Sequence, residues 1–238
     1  MKFLNATFLF LFSGICYSLP SQTHKEDIVQ VDFTTLNWEP SVIQDLKFEI
    51  DGEVRTLSVY NRGLSIPENY SGPADLKFFR EVSNPQTGEM VRVPVAQTRL
   101  PDNVDEVLLI FQKNAKSQRE SYRVFPIPRN RDQFPPGSYQ IINFSDFNIS
   151  GKIGKEMFSL AKRDSVIIEL PAQQAATIEV KFAREEGEGW KLAYSSLWGH
   201  KADNRVNIFM LSSEDPINPI EIRRYKEFIP REQQKNGR

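Results

Sequence analysis

A chain of 238 residues has room for one large domain or two of roughly 100 residues each, and its 39% hydrophobic content provides a core and sets aside wholesale disorder. A formal charge of −1 sets aside bulk binding to nucleic acid, which needs a basic surface. A single cysteine sets aside a disulfide framework and a cysteine-ligated metal centre.

The chain opens MKFLNATFLFLFSGICYSLPSQ. Lys2 is followed by a mostly apolar stretch from Phe3 to Tyr17, and the sequence then turns polar. This layout predicts a secretory signal peptide over residues 1–18, with Cys16 and Ser18 as the small residues before the cleavage point. The apolar stretch falls short of the ~20 residues that a membrane span needs. Two alternatives stay open. One is a retained anchor. The other is a lipoprotein modified at Cys16, although Ile15 stands where that chemistry wants a small residue. Cleavage would remove the only cysteine and leave a thiol-free exported chain held by its core alone. Residues 19–27 read as a disordered stretch. No later segment is apolar and long enough to span a membrane.

From Val29 onward the dominant pattern is alternation with a period of two, in a chain with 17 phenylalanines and only 4 methionines, which favours strands. In DLKFEIDGEVRTLSVY, Asp51-Gly52 predicts a two-residue hairpin turn. The register then pairs Ile50 with Glu53, Phe48 with Arg55 and Leu46 with Leu57. It collects Leu46, Phe48, Ile50, Leu57 and Val59 on one face. Strands follow at Leu76–Val82 and Met90–Ala96, and at Val107–Phe111, whose apolar run on both faces marks a central strand. Tyr122–Ile127 comes next. After the proline-bounded segment PRNRDQFPP the pattern resumes at Tyr139–Phe144, Phe147–Ile153 and Val166–Leu170. Alternation continues through Ile178, Val180 and Phe182, through Trp190, Leu192 and Tyr194, through Val206, Ile208 and Met210, and at Ile220. Gly151 and Gly154 suit a tight turn or a close backbone approach.

The expected fold class is all-β, as two consecutive immunoglobulin-like β-sandwich domains after the signal peptide, over residues 28–129 and 134–228, with a polar tail at 229–238. A boundary at Lys113–Glu120 and a single larger sandwich are the alternatives.

Few constellations carry chemistry. The two histidines, His24 and His200, lie too far apart for a metal motif, and the sequence calls for no metal and no cofactor. Glu185, Glu186 and Glu188 sit in an acidic turn and read as solvated. Ser159-Leu160-Ala161-Lys162 matches a serine–lysine motif by letters, but in a strand and turn rather than a helix. Asn69, Asn143 and Asn148 each begin an Asn-x-Ser sequon. The richest cluster is GWKLAYSSLWGHKADNR. Strand alternation places Trp190, Leu192, Tyr194 and Trp198 on one face, read as core ahead of a ligand platform. Trp198, His200, Asp203 and Asn204 enter the following loop and are the expected ligand contacts, with Trp190 and Tyr194 beside them.

PPGSYQIINFSDFNISGKIG followed by MFSLAKRDSVIIEL, about 40 residues of the second half, resembles a segment of uncharacterised exported bacterial β-sandwich proteins. The resemblance implies an exported β protein and assigns no residue a role. The expected function is that of a non-catalytic exported binding or structural protein, with a protein or polysaccharide partner at the cell envelope. One alternative is an exported hydrolase using Glu185, Glu186, Asp203 or His200. Another is a subunit of an envelope assembly whose edge strands pair with a partner.

Overall fold

The structure, a computed structural model, describes residues 27–171 and 175–229. The expected signal peptide, Cys16, His24 and all of the expected tail except Ile229 lie outside the described residues. Those residues hold β-strands and no α-helix.

Eight strands come from the first half: β1 (Ile28–Asn37), β2 (Ile43–Ile50), β3 (Glu53–Val59), β4 (Glu68–Pro73), β5 (Asp75–Ser83), β6 (Met90–Arg99), β7 (Glu106–Lys113) and β8 (Tyr122–Pro128). The β2–β3 hairpin forms in the expected register, pairing Ile50 with Glu53, Phe48 with Arg55 and Leu46 with Leu57. Asp51 and Gly52 take φ of 50° and 80°, the two positive values such a turn requires. The five expected core residues of the hairpin are all buried, while Glu53 and Arg55 reach water.

Unlike an immunoglobulin-like pair of separate sheets, these strands form one hydrogen-bonded sheet, ordered β3-β2-β5-β6-β8-β7-β1-β4. The sheet folds over along a thin seam, where β6 and β8 share only the pairs Ala96↔Tyr122 and Gln97↔Arg123. Phe48, Leu57, Phe78 and Val95 from one half thereby meet Phe33, Tyr70, Val107 and Phe111 from the other. Strand β4 escapes the sequence reading because ENYSGP is made of turn formers. It earns its place through Tyr70, which is 2% exposed and donates to the Pro73 carbonyl at 2.7 Å. Its ring occupies the space that a Cβ on Gly72 would need.

The second half contributes β9 (Ser138–Phe144), β10 (Ile149–Ile153), β11 (Glu156–Leu160), β12 (Ser165–Glu169), β13 (Thr177–Glu186), β14 (Gly189–Gly199), β15 (Asn204–Ser212) and β16 (Ile220–Phe228). They form two four-stranded sheets, β11-β10-β13-β14 and β12-β9-β15-β16. Tyr139, Ile141, Ile149, Phe182, Trp198 and Ile208 are among the residues that fill the space between them.

A third core joins the halves. Leu36 (β1) and Leu108 and Ile110 (β7) pack against Ile142 (β9) and Phe209 (β15), with Trp38, Phe125, Phe144 and Tyr225 around them. The ring of Trp38 meets those of Phe144 and Phe209 edge-on, each at 5.7 Å. Strands β7, β9 and β15 are therefore covered on both faces, which is why VLLIF, SYQIINF and RVNIFML read as near-continuous apolar runs. The described residues form four layers of sheet stacked face to face.

Beside this third core lies a buried ion network. Glu106 (β7) binds Arg205 (β15) at 2.7 Å and Arg131 at 2.6 Å. Glu227 (β16) binds Arg205 at 3.1 Å and pairs with Arg129, whose guanidinium also donates to Thr34 Oγ1 at 3.0 Å. Arg129 and Arg205 are 2% and 3% exposed. Burial opposes the charge on Glu106, but Arg205, Arg131 and Arg129 prevail and hold its carboxyl below the ordinary value.

Candidate functional site

The β13–β14 hairpin carries most of the residues singled out from sequence. It turns at Gly187, φ 63°, and pairs Glu185 with Trp190, Arg184 with Lys191 and Ala183 with Leu192. The register then shifts, so that Phe182 faces Tyr194 and Ala193 is the extra residue of a bulge. An inserted residue reverses the facing of everything on one side of it.

The expected single face of Trp190, Leu192, Tyr194 and Trp198 is therefore corrected. Tyr194 and Trp198 turn inward. Trp198 is 4% exposed, donates from Nε1 to the Tyr194 hydroxyl at 2.9 Å, and lies under the Arg224 guanidinium. Trp190 and Leu192 turn outward with Leu197, and these three are 54%, 60% and 71% exposed.

The loop after β14 is a brace. His200 is buried, donates its backbone N–H to the Ala176 carbonyl, and shares a 2.9 Å hydrogen bond between Nδ1 and the Tyr139 hydroxyl. Burial lowers the imidazole's pKa and pushes the Tyr139 phenol up to about 12, so both are neutral at pH 7. The Asn204 carbonyl accepts from Gly137 N–H and the Asp203 carbonyl from Ile229 N–H, each at 2.8 Å. These bonds tie the loop to the start of β9 and the end of β16.

The carboxylates sit elsewhere. Glu185 accepts from Asn148 Nδ2 at 2.7 Å, and Glu186 pairs with Arg184 and Lys191. They lie at the hairpin tip, an 11-residue strand away from His200, about 35 Å at the strand rise. The structure does not bring Glu185 or Glu186 together with His200. Among the described residues no three His, Cys, Asp or Glu side chains group as metal ligands. Asn143 is fully buried and donates to the carbonyls of Phe147 and Ala161, so its sequon is closed to modification in the fold.

What the sequence reading missed is an edge. Among the described residues, strand β14 pairs only with β13, and β16 closes the facing sheet on the same side of the sandwich. Arg224 and Lys226 stand exposed on the face of β16 turned toward β14. Among the described residues neither has a carboxylate partner. The sequence signal was present: GWKLAYSSLWG carries one charged residue in 11, an unguarded composition for an edge.

A groove of about 850 Å³ opens beside β5, where β2 and β5 share the pair Lys47↔Phe79. Much of its charge is matched internally. Arg99 bridges Asp27 and Asp75, and Arg92 pairs with Glu49 above the Phe79 ring.

No protein-family model matches the chain, and no curated protein matches it in sequence.

Proposed function

We propose that this is a non-catalytic binding protein exported to the cell envelope, where it presents a rigid sheet stack to a protein partner. The observation that carries the reading is the outward row of Trp190, Leu192 and Leu197 beside the open edge of β14. Large apolar side chains clustered at a sheet edge cost solubility unless something covers them. The export half of the reading rests on the leader-like composition of residues 1–18.

The test is the size of the mature protein, purified and in envelope extract. The purified protein is expected to run at its own mass and the protein in extract within a larger complex. Replacing Trp190, Leu192 and Leu197 together by serine is expected to release it. A wild-type protein that runs free in extract would count against the reading.

A further inference from the structure

The free edge of β14 specifies its occupant more closely. His200 N–H bonds to the Ala176 carbonyl across the β13–β14 ladder. Hydrogen bonding alternates with a period of two along an antiparallel pair. From His200 back to Tyr194, the even positions therefore pair with β13. The N–H and C=O groups of Ser195, Leu197 and Gly199 point away from the sheet. A row of backbone donors and acceptors at strand spacing is matched only by another extended backbone.

The other sheet edges are guarded. β11 and β12 are five residues long, β4 ends in Gly72-Pro73, and β3 carries Glu53 and Arg55. β16 carries Glu221, Arg223, Arg224, Lys226 and Glu227. β14 is longer than any of them, and its bulge lies toward the hairpin tip, leaving Tyr194–Gly199 regular.

A strand added here alternates between two surroundings. Its outward side chains lie beside Leu197 and Leu192. Its inward side chains enter the mouth between β14 and β16, where Arg224 covers Trp198 at 4.4 Å and Lys226 follows on the same face. Lys201 stands exposed just past the end of β14.

We infer that the β14 edge takes up, by strand addition, an extended segment of a partner protein in which apolar residues alternate with acidic ones. The apolar positions cover Leu192 and Leu197, and the acidic positions pair with Arg224 and Lys226. The inference rests on the binding role proposed above and adds the partner's conformation and charge. The chain's own tail beyond Ile229, with Arg231, Lys235 and Arg238 against Glu232, has the wrong sign.

The test uses the mature full-length chain and two capped nine-residue peptides, one alternating valine with glutamate and one alternating valine with lysine. The glutamate peptide is expected to slow amide exchange at Ser195, Leu197 and Gly199 and to bind at least about tenfold more tightly than the lysine peptide. Ser195→Pro, which removes an outward N–H and leaves the β13 ladder intact, is expected to abolish that protection, as is the pair Arg224→Glu and Lys226→Glu. Unchanged melting of these variants shows that the fold survives. Equal binding of both peptides, or no protection at millimolar glutamate peptide, overturns the inference. So does a purified wild-type dimer that Ser195→Pro dissociates, which would give the edge to a second copy. If the complex in envelope extract is lost with the triple serine variant but persists with Ser195→Pro and the charge reversals, this inference falls and the binding role stands. If no complex exists in extract, the binding role itself falls.

Discussion

Gly151 shows how closely the layers pack at the scale of one residue. It sits in β10 opposite Phe158, and a Cβ built on it would lie 2.2 Å from the Phe158 ring. Gly151→Ala is therefore expected to cost about 1–3 kcal/mol in urea unfolding, and Phe158→Leu in the same chain to recover part of it. Charge at single residues sets the pH response. The His200 pKa is lowered by burial, so below pH 6.5 the unfolded chain takes up a proton that the folded one resists. Stability is then lost as pH falls through the folded value. The Glu106 pKa is also lowered, so its contribution is full above the ordinary carboxyl value of 4.5 and is lost as pH falls further. Melting followed from neutral to acid pH should show two successive declines. His200→Gln should remove the first. Glu106→Gln should flatten the second and lower stability throughout by about 3–5 kcal/mol, because it leaves buried guanidinium groups short of a carboxylate.

At the scale of the element, the bulge at Ala193 decides what β14 offers to solvent. Deleting Ala193 should reset the strand near the turn by one residue and drive Trp190 and Leu192 toward the core, where Arg184 already lies buried. The expected result is a protein of lower melting temperature whose tryptophan emission shifts to the blue; unchanged emission would show that the bulge is not what turns Trp190 outward. Nothing in GWKLAYSSLWG announces this insertion, since alanine fits a strand and a bulge equally well. The aromatic stripe could not be read correctly for that reason. The Asp51-Gly52 hairpin was legible to the residue because its turn and both faces are encoded locally. Strand β4 was not, because Tyr70 is its one large apolar residue among turn-forming ones, and its pairing with β1 leaves no local pattern. The candidate site was legible in part. Its strand was found by alternation, but its free edge and the facing Arg224 and Lys226 arise from the order of strands across two sheets, which no local pattern specifies.

At the scale of the whole molecule, the third core and the ion network bind four layers into one mechanical unit. Calorimetry of the protein is expected to show a single transition. Phe209→Asp, which buries an unpaired carboxylate between the halves, should split it in two, and two transitions in the wild type would refute the coupling. The network also has an order in time. Arg129 precedes its partner Glu227 by 98 residues, and Glu106 precedes Arg205 by 99. A chain emerging from the ribosome thus carries half of each pair long before the other half exists. Until β16 is delivered, the apolar row of Leu36, Leu108 and Ile110 has no complete cover. A chain cut short before its last strand keeps that row open and leaves Arg129 and Arg205 to share the single carboxylate of Glu106, so a prematurely terminated product is marked for proteolysis by its own unfinished interior.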